Sequence, residues 1–330
     1  MTSETNSDAG MIGALREFGL LARDEPATTF PLSGGVSSDV FGVRTDDGRA
    51  WVVKRSIPRL RVAADWRAPV ERAGVEVDWL RTVHALDPRL APEVIAWSPE
   101  RHLFVMPWLG NFPVWKGEMV AGRVDPGFAG AVGGALARIH AATAGRHDLA
   151  ARFQSDACFA ALRIDPFLNF TARRHPDVAA RIEDLAADLA RRKSTLVWGD
   201  ASPKNILVGP DGPIFLDAET AVFGDPAFDL AFCLTHLLLK TVWLAPHAHA
   251  LMASFTALRD AYDPADDVSR RAGLLIGALL LARVDGKSPA GYLDAAQEEI
   301  VRGRAKAILA QTDLDLARLP GFWETLAARA

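Results

Sequence analysis

The stretch from Ser194 to Glu219 constrains this chain more tightly than any other. Its apolar runs Ile206–Val208 and Ile214–Leu216 read as strands, and the segment from Gly209 to Pro213 must turn between them. With the turn centred on Asp211 and Gly212, an antiparallel register brings Asn205 and Asp217 within one residue of facing each other at the open end. Asp200 lies in the loop just before that end. Two carboxylates and an amide then surround a small volume. Oxygen donors of this kind suit Mg²⁺, which takes one or two carboxylates and completes its shell with water and substrate phosphates. Asn205 and Asp217 are the candidate metal ligands, which leaves Asp200 to accept a proton from an attacking hydroxyl. The spacing Asp-x-x-x-x-Asn, followed by a further Asp, is that of a kinase catalytic loop. Any one of these residues alone is more often a loop former or a turn cap, and it is their joint register that points to chemistry. Lys204 has two readings, as a catalytic cation on the transferring phosphoryl group or as a solvated loop lysine. Glu219 either joins the metal shell or makes a structural salt bridge.

The surrounding pattern divides the chain in two. Thr28–Leu32, Val40–Val43 and Ala50–Lys54 are short apolar runs, the last two joined through Asp47-Gly48, a strong hairpin signal. Ala73, Val77, Leu80 and Val83 give Val70–Leu86 a helical period, and Ile95–Trp97 and His102–Met106 return to strand character. From Phe128 onward the pattern is helical, as in Phe128–Ala144, Asp177–Arg191, Pro226–Leu239, Ser269–Val284 and Gly291–Ala310, with one β island at Thr195–Asp217. Pro107 marks the boundary. Residues 1–107 are expected to form a β-rich nucleotide-binding lobe, unstructured over 1–10, and residues 108–330 a helical catalytic and acceptor-binding lobe. The class is α+β.

Phosphates need donors and positive charge. Between the first two strands, Ser33, Gly34, Gly35 and Ser37 belong to a loop whose backbone N–H groups can approach phosphate oxygens closely. Lys54 ends the third strand, the place from which a kinase lysine reaches the α- and β-phosphates. Its acidic partner is Glu76 on the following helix, with Glu71 the second choice. The backbone from Met106 to Trp108 is expected to face adenine. Asp229 is expected to brace the catalytic loop through backbone hydrogen bonds, and Asp225 to cap the helix that follows it.

Composition narrows the partners. With 37 Lys+Arg against 41 Asp+Glu in 330 residues, the chain lacks the basic field that nucleic acid requires. Cys158 and Cys233 alone exclude a disulfide scaffold and favour a reducing compartment. Met1–Gly10 has no signal-peptide pattern, and the longest apolar stretches, 228–239 and 273–282, fall short of the roughly 20 residues that cross a bilayer. A cytoplasmic protein without a membrane partner is expected. From Trp108 onward no dense acidic run appears that would attract a polycation. Candidate acceptor contacts are Trp115, whose ring can stack on a sugar, Asp165, and Arg283, which can bind hydroxyls or an anionic group.

These residues resemble the aminoglycoside phosphotransferase/choline kinase superfamily, whose signature is His-Gly-Asp-x-x-x-x-Asn followed by a metal-binding Asp. Within it the chain is most similar to 5-methylthioribose kinase, through Val52–Arg61 with Trp66 and Glu71-Arg72, through Val114–Met119, and through Leu216–Glu219 with Phe223-Gly224 and Phe228-Asp229. The resemblance implies a two-lobed protein-kinase-like fold with a small antiparallel-sheet N-lobe and a larger, mainly helical C-lobe. It implies ATP with Mg²⁺ as donor and a small sugar-like or polyol hydroxyl acceptor. Asp200 carries over as catalytic base, Asn205 and Asp217 as metal ligands, Lys54 as phosphate ligand and Glu76 as its partner. The sequence departs from the signature at Trp198, which replaces the motif histidine. Only Arg283 stands where methylthioribose kinases carry paired arginines. An aminoglycoside or amino-alcohol acceptor is one alternative, and a nucleotide-binding regulator without catalysis is another.

Overall fold

The computed structural model describes residues 4–32, 37–61, 66 and 68–327. The chain forms two compact units, Met1–Asn111 and Phe112–Ala330.

The first unit contains α1 (Glu4–Glu17), β1 (Ala27–Pro31), β2 (Ser38–Thr45), β3 (Ala50–Ser56), α2 (Arg72–Leu86), β4 (Ala96–Ser98) and β5 (Leu103–Pro107). Its five strands make one antiparallel sheet in the order β1-β2-β3-β5-β4. The β2–β3 hairpin turns where Asp47-Gly48 predicts it, with Gly48 at φ +91°. Strand alternation sorts β3 between two faces. Trp51 and Val53, with Val43, Leu103 and Val105 from neighbouring strands, pack on Met11, Ala14 and Leu15 of α1. Val52 and Lys54 point to the opposite face, where α2 packs on β3 and β5. Helix α1 corrects the expectation of an unstructured start, because it already begins at Glu4. Its first turns are polar and small, so only the i, i+3, i+4 set at residues 11, 14 and 15 betrays it.

The second unit contains α3 (Trp115–Val120), α4 (Pro126–Thr143), α5 (His147–Arg152), α6 (Asp156–Phe159), a π-helical stretch Ala160–Asn169, α7 (Phe170–Arg174) and α8 (Ala179–Arg191). The β island follows as β6 (Thr195–Val197), β7 (Ile206–Gly209), β8 (Gly212–Phe215) and β9 (Val222–Gly224). Then come α9 (Ala227–Trp243), α10 (Ala248–Tyr262), α11 (Asp266–Asp285), α12 (Ala295–Leu309) and α13 (Leu319–Ala327). Helix α9 is the centre of the packing, buried along nearly its whole length and flanked by α10, α11 and α12. Helix α10 lies directly on α4, and at Gly133 a Cβ would come within 2.1 Å of the Leu258 carbonyl oxygen. No single helix among the described residues is long and apolar enough to cross a membrane. Together these features are a protein-kinase-like fold.

The hairpin is tighter than the sequence suggests. β7 and β8 pair Ile206 with Phe215 and Gly209 with Gly212, so only Pro210 and Asp211 remain in the turn. In this register the Leu216 N–H donates to the Asn205 carbonyl at 2.9 Å, and Asp217 lies one residue beyond.

Candidate active site

Within the first unit, Lys54 and Glu76 form a buried ion pair. The ammonium lies 2.8 Å from a Glu76 carboxylate oxygen, and both residues are almost wholly shielded from solvent. Taking two charges out of water costs several kcal/mol per ion, so a pair in this position is weak evidence for stability. Glu76 is set one turn into α2, whose first residue, Arg72, is itself buried. The Arg72 guanidinium donates to the carbonyls of Ala68 (3.2 Å), Pro69 (2.7 Å), Ile57 (2.8 Å) and Ser37. It thereby ties the chain after β3 and the end of the glycine-containing loop to the start of α2. Ser37 is held a second time, its carbonyl accepting the Ile57 N–H at 3.1 Å. Ser33, Gly34 and Gly35 lie outside the described residues. Met106 pairs with Val52 across the sheet, and the Trp108 N–H donates to the Ala50 carbonyl at 3.2 Å. The Trp108 ring sits edge-on to Phe30, with centroids 5.2 Å apart.

Within the second unit, the loop between β6 and β7 is fixed from three sides. Asp229, fully buried in the first turn of α9, accepts the N–H of Trp198 at 2.6 Å and that of Gly199 at 2.8 Å, which is the bracing expected from the sequence. An ionised carboxylate only accepts hydrogen bonds, so His140 Nε2, 3.2 Å away, must carry the proton toward Asp229. Its Nδ1 then accepts the Tyr262 hydroxyl at 2.8 Å. Asp225 caps α9 as expected, accepting the Ala227 N–H at 3.0 Å, and is clamped by Arg271. From a second side, Arg163 in the π-helical stretch donates its Nε to the Gly199 carbonyl. From the third, the Trp198 indole packs on Phe215 and donates Nε1 to the Asp217 carbonyl at 3.3 Å. Gly199 has φ +82°, and a Cβ there would meet the Thr220 carbonyl oxygen at 2.5 Å, so this position requires glycine.

Asp200 follows this glycine and is 7% exposed. Its Oδ2 faces two cations, Arg163 Nη2 at 3.2 Å and Lys204 Nζ at 3.3 Å. Lys204 is half exposed but turned back on Asp200. The Asp200 carbonyl accepts the Asn205 amide nitrogen at 3.1 Å. That bond uses the amide NH₂ and does not involve the Asn205 side-chain oxygen. Asp217 adopts φ +64°, a left-handed backbone that a non-glycine residue enters at a cost of about 1–2 kcal/mol. A carboxylate oxygen of Asp217 and one of Glu219 lie within 4.8 Å of each other. The Asp217 and Glu219 carboxylates are hard oxygen donors of the kind that suits a small divalent cation.

Two acceptor contacts need correction. Trp115 is 2% exposed, with its ring edge-on to Phe128 at 5.5 Å, so it fills the core of the helical unit and offers no face to a sugar. Asp165 is exposed and accepts the Asn169 amide at 2.6 Å, one turn along the same helix, rather than joining the Asp200 group. Arg283 does lie near that group. Burial pulls its pKa down, opposed by the nearby Tyr292 and Asp200. The sequence reading missed Arg163, because no motif marks an arginine in an irregular helix. It also missed Lys240, although a lysine directly after the apolar run Leu237–Leu239 was a legible signal.

The sequence profile of the phosphotransferase enzyme family matches residues 29–265. The chain belongs to that family. Methylthioribose kinase from Klebsiella pneumoniae strain 342 is 26% identical over 57% of this chain and 54% of its own length. The enzyme of that name from Yersinia enterocolitica is 26% identical over 72% of this chain and 66% of its own. The chain thus spans between about half and two thirds of the length of these relatives. Among solved structures, amicoumacin kinase in complex with AMP-PNP, Ca²⁺ and Ami superposes with a TM-score of 0.60, at 16% identity, over 97% of this chain and 100% of that one. Choline kinase from Streptococcus pneumoniae gives a TM-score of 0.55, at 14% identity, over 92% and 99%.

Proposed function

We propose that this member of the phosphotransferase enzyme family is an ATP-dependent kinase acting on a hydroxyl of a small sugar-like or polyol molecule. The observation that carries the proposal is Asp200, a shielded carboxylate on a rigidly held loop, five residues before Asn205. In the reaction the acceptor oxygen bonds to the γ-phosphorus, the bridging bond to the β-phosphate breaks, and ADP leaves with that bond's electron pair. The acceptor proton passes to Asp200. Both cations approach Oδ2, and the other carboxylate oxygen is the atom placed to receive it. Lys204 and Arg163 hold the carboxylate in one orientation, and this positioning is where much of the rate enhancement of a phosphoryl transfer arises. Lys54, oriented by Glu76, binds nucleotide phosphate. Asn205 and Asp217, with Glu219 beside them, would hold Mg²⁺, which neutralises phosphate charge when bound. The relatives named methylthioribose kinase support the sugar-like acceptor.

The test is Asp200→Asn in an ADP-release assay against a panel of sugars, polyols and amino alcohols. Turnover should fall by at least about 10³-fold while ATP affinity stays within about threefold of the parent. Retained turnover refutes Asp200 as the base.

A further inference from the structure

Five basic groups form one electrostatically linked cluster that reaches Asp200 through Lys204 and Arg283. Lys204 faces Asp200 directly. Beyond it, Lys240 on α9 is 1% exposed, and among the described residues its ammonium donates only to the His236 carbonyl of its own helix, at 3.3 Å. That ammonium also lies 6.0 Å from the centroid of the Tyr292 ring. Lys116, on α3, reaches the same ring at 5.2 Å and that of Trp243 at 6.0 Å. The Tyr292 and Trp243 rings are 4.3 Å apart and tilted by 34°. Arg283, on α11, spends Nη1 on Ser288, while among the described residues neither its buried Nε nor the buried Tyr292 hydroxyl has a hydrogen-bond partner. Among the described residues no carboxylate is ion-paired with Lys116, Lys240 or Arg283. His236 completes the group and is kept neutral, its pKa driven down by burial and then by Lys240, Arg283, Lys204 and Lys116 in turn.

A buried lysine without a counter-charge is costly, and so is a buried hydrogen-bonding group without a partner. Here both occur around two aromatic rings, in a cluster that reaches the carboxylate assigned to proton transfer. The helical unit as a whole is slightly acidic, with 24 Lys+Arg against 26 Asp+Glu from Trp108 onward, so this local excess of positive charge runs against the composition.

We infer that the acceptor is a small polyhydroxylated anion, a sugar acid or a sugar phosphate, whose charged group is taken by Lys116, Lys240 and Arg283 while its carbon skeleton lies against Tyr292 and Trp243. The missing counter-charge is then supplied by the substrate, and the Arg283 Nε and the Tyr292 hydroxyl gain their partners from it. A polycationic acceptor is repelled by the same residues, and a neutral polyol leaves them uncompensated. The inference depends on the proposed phosphotransferase activity for the fate of the acceptor hydroxyl, but not for anion recognition itself.

The test measures binding and turnover separately. Titration calorimetry of the full chain, with and without AMP-PNP and Mg²⁺, compares gluconate, glucose 6-phosphate, sorbitol and gentamicin. At least one of the two anions should bind tenfold or more tightly than sorbitol, and which of them does so distinguishes a carboxylate from a phosphate ligand. Lys240→Met and Lys116→Gln should each reduce that preference at least fivefold. Should Lys240→Met fail to fold, the half-exposed Lys116 carries the test. Equal affinity for sorbitol and both anions overturns the inference, as does a preference surviving in both variants. A preference that vanishes with AMP-PNP overturns it too, because the cations then serve the nucleotide. ADP release separates the two claims. Anion binding without ADP from any probe refutes the kinase activity and leaves the anion site standing, whereas ADP formed with sorbitol or gentamicin but with neither anion does the reverse.

Discussion

Replacing Lys240 by methionine should make the protein more stable. The lysine is fully buried on α9, and among the described residues its ammonium has one long hydrogen bond, at 3.3 Å to the His236 carbonyl. Burial, followed by repulsion from Lys116, pulls its pKa from 10.5 down to about 7. At about 1.4 kcal/mol per pKa unit this displacement corresponds to ~5 kcal/mol as an upper limit. Local relaxation returns part of it, and removing buried charge in favour of a packed apolar chain typically gains about 1–4 kcal/mol. The sign with pH follows from the direction of the shift. Below pH 7 the lysine is charged both folded and unfolded, and the folded state bears the whole penalty. Between pH 7 and 10.5 the unfolded chain binds more protons, so wild-type stability rises with pH across that window. The methionine variant lacks this rise. The groups facing Lys240 are Lys116 from α3, Arg283 from α11, the Tyr292 ring, and Cys233 and His236 from its own helix; Lys116 and Arg283 add positive charge, and burial pushes the Cys233 thiol up to about 12. Urea unfolding of both proteins at pH 6 and pH 9 is the assay. The variant should exceed the parent by about 1–4 kcal/mol at pH 6, and the gap should narrow at pH 9. A variant less stable than the parent at pH 6, or a gap independent of pH, refutes the reasoning.

Three further outcomes are expected. Lys54→Met leaves the Glu76 carboxylate buried without its partner and should cost about 3–5 kcal/mol by chemical denaturation, while adding Glu76→Gln should restore more than half of that. Asp217→Gly relieves a left-handed backbone at φ +64° and should hold or raise stability by up to about 1 kcal/mol; the same variant should lose the Mg²⁺-dependent part of ATP binding, read by calorimetry with and without the metal. Asp229→Asn replaces one accepting oxygen by an NH₂ that cannot receive an N–H, so either the Gly199 bond, made to Oδ1, or the Trp198 and His140 bonds, both made to Oδ2, must break. A loss of about 2–4 kcal/mol is expected in urea, with kcat falling more than the KM for ATP rises.

Much of this architecture is written in short-range patterns. The Asp47-Gly48 hairpin and the helical period through Ala73, Val77, Leu80 and Val83 are local signals that appear where their residues place them, while the Gly209–Pro213 turn appears in its expected segment but closes over Pro210 and Asp211 alone. The ion pair of Lys54 with Glu76 was also legible, because a strand-end lysine followed by a helix offers few acidic partners. Contacts made at long range were not. Arg163 reaches Gly199 from a π-helical stretch whose period matches neither helix nor strand templates, and Tyr262 reaches Asp229 only through His140. Trp115 misled for a related reason. A tryptophan in a loop-like segment carries no mark of which neighbour covers it, and here Phe128 does.

Trp198 shows how a departure from a signature can leave its geometry intact. The motif loop needs its backbone held so that Asp200 and Asp217 keep fixed directions. Asp229 supplies that hold by accepting the N–H groups of Trp198 and Gly199, and neither bond depends on the side chain at position 198. Arg163 fixes the Gly199 carbonyl and reaches the Asp200 carboxylate with the same guanidinium, so backbone and side chain are positioned by one rigid group. What position 198 adds is a donor. The indole N–H takes the Asp217 carbonyl at 3.3 Å while the ring packs on Phe215, joining the loop to the far end of the hairpin. That bond restrains the residue with the least favourable backbone in the site, and tryptophan combines the required donor with a large apolar face. The replacement of histidine therefore exchanges one fastening for another, and Asp200 and Asp217 keep their support.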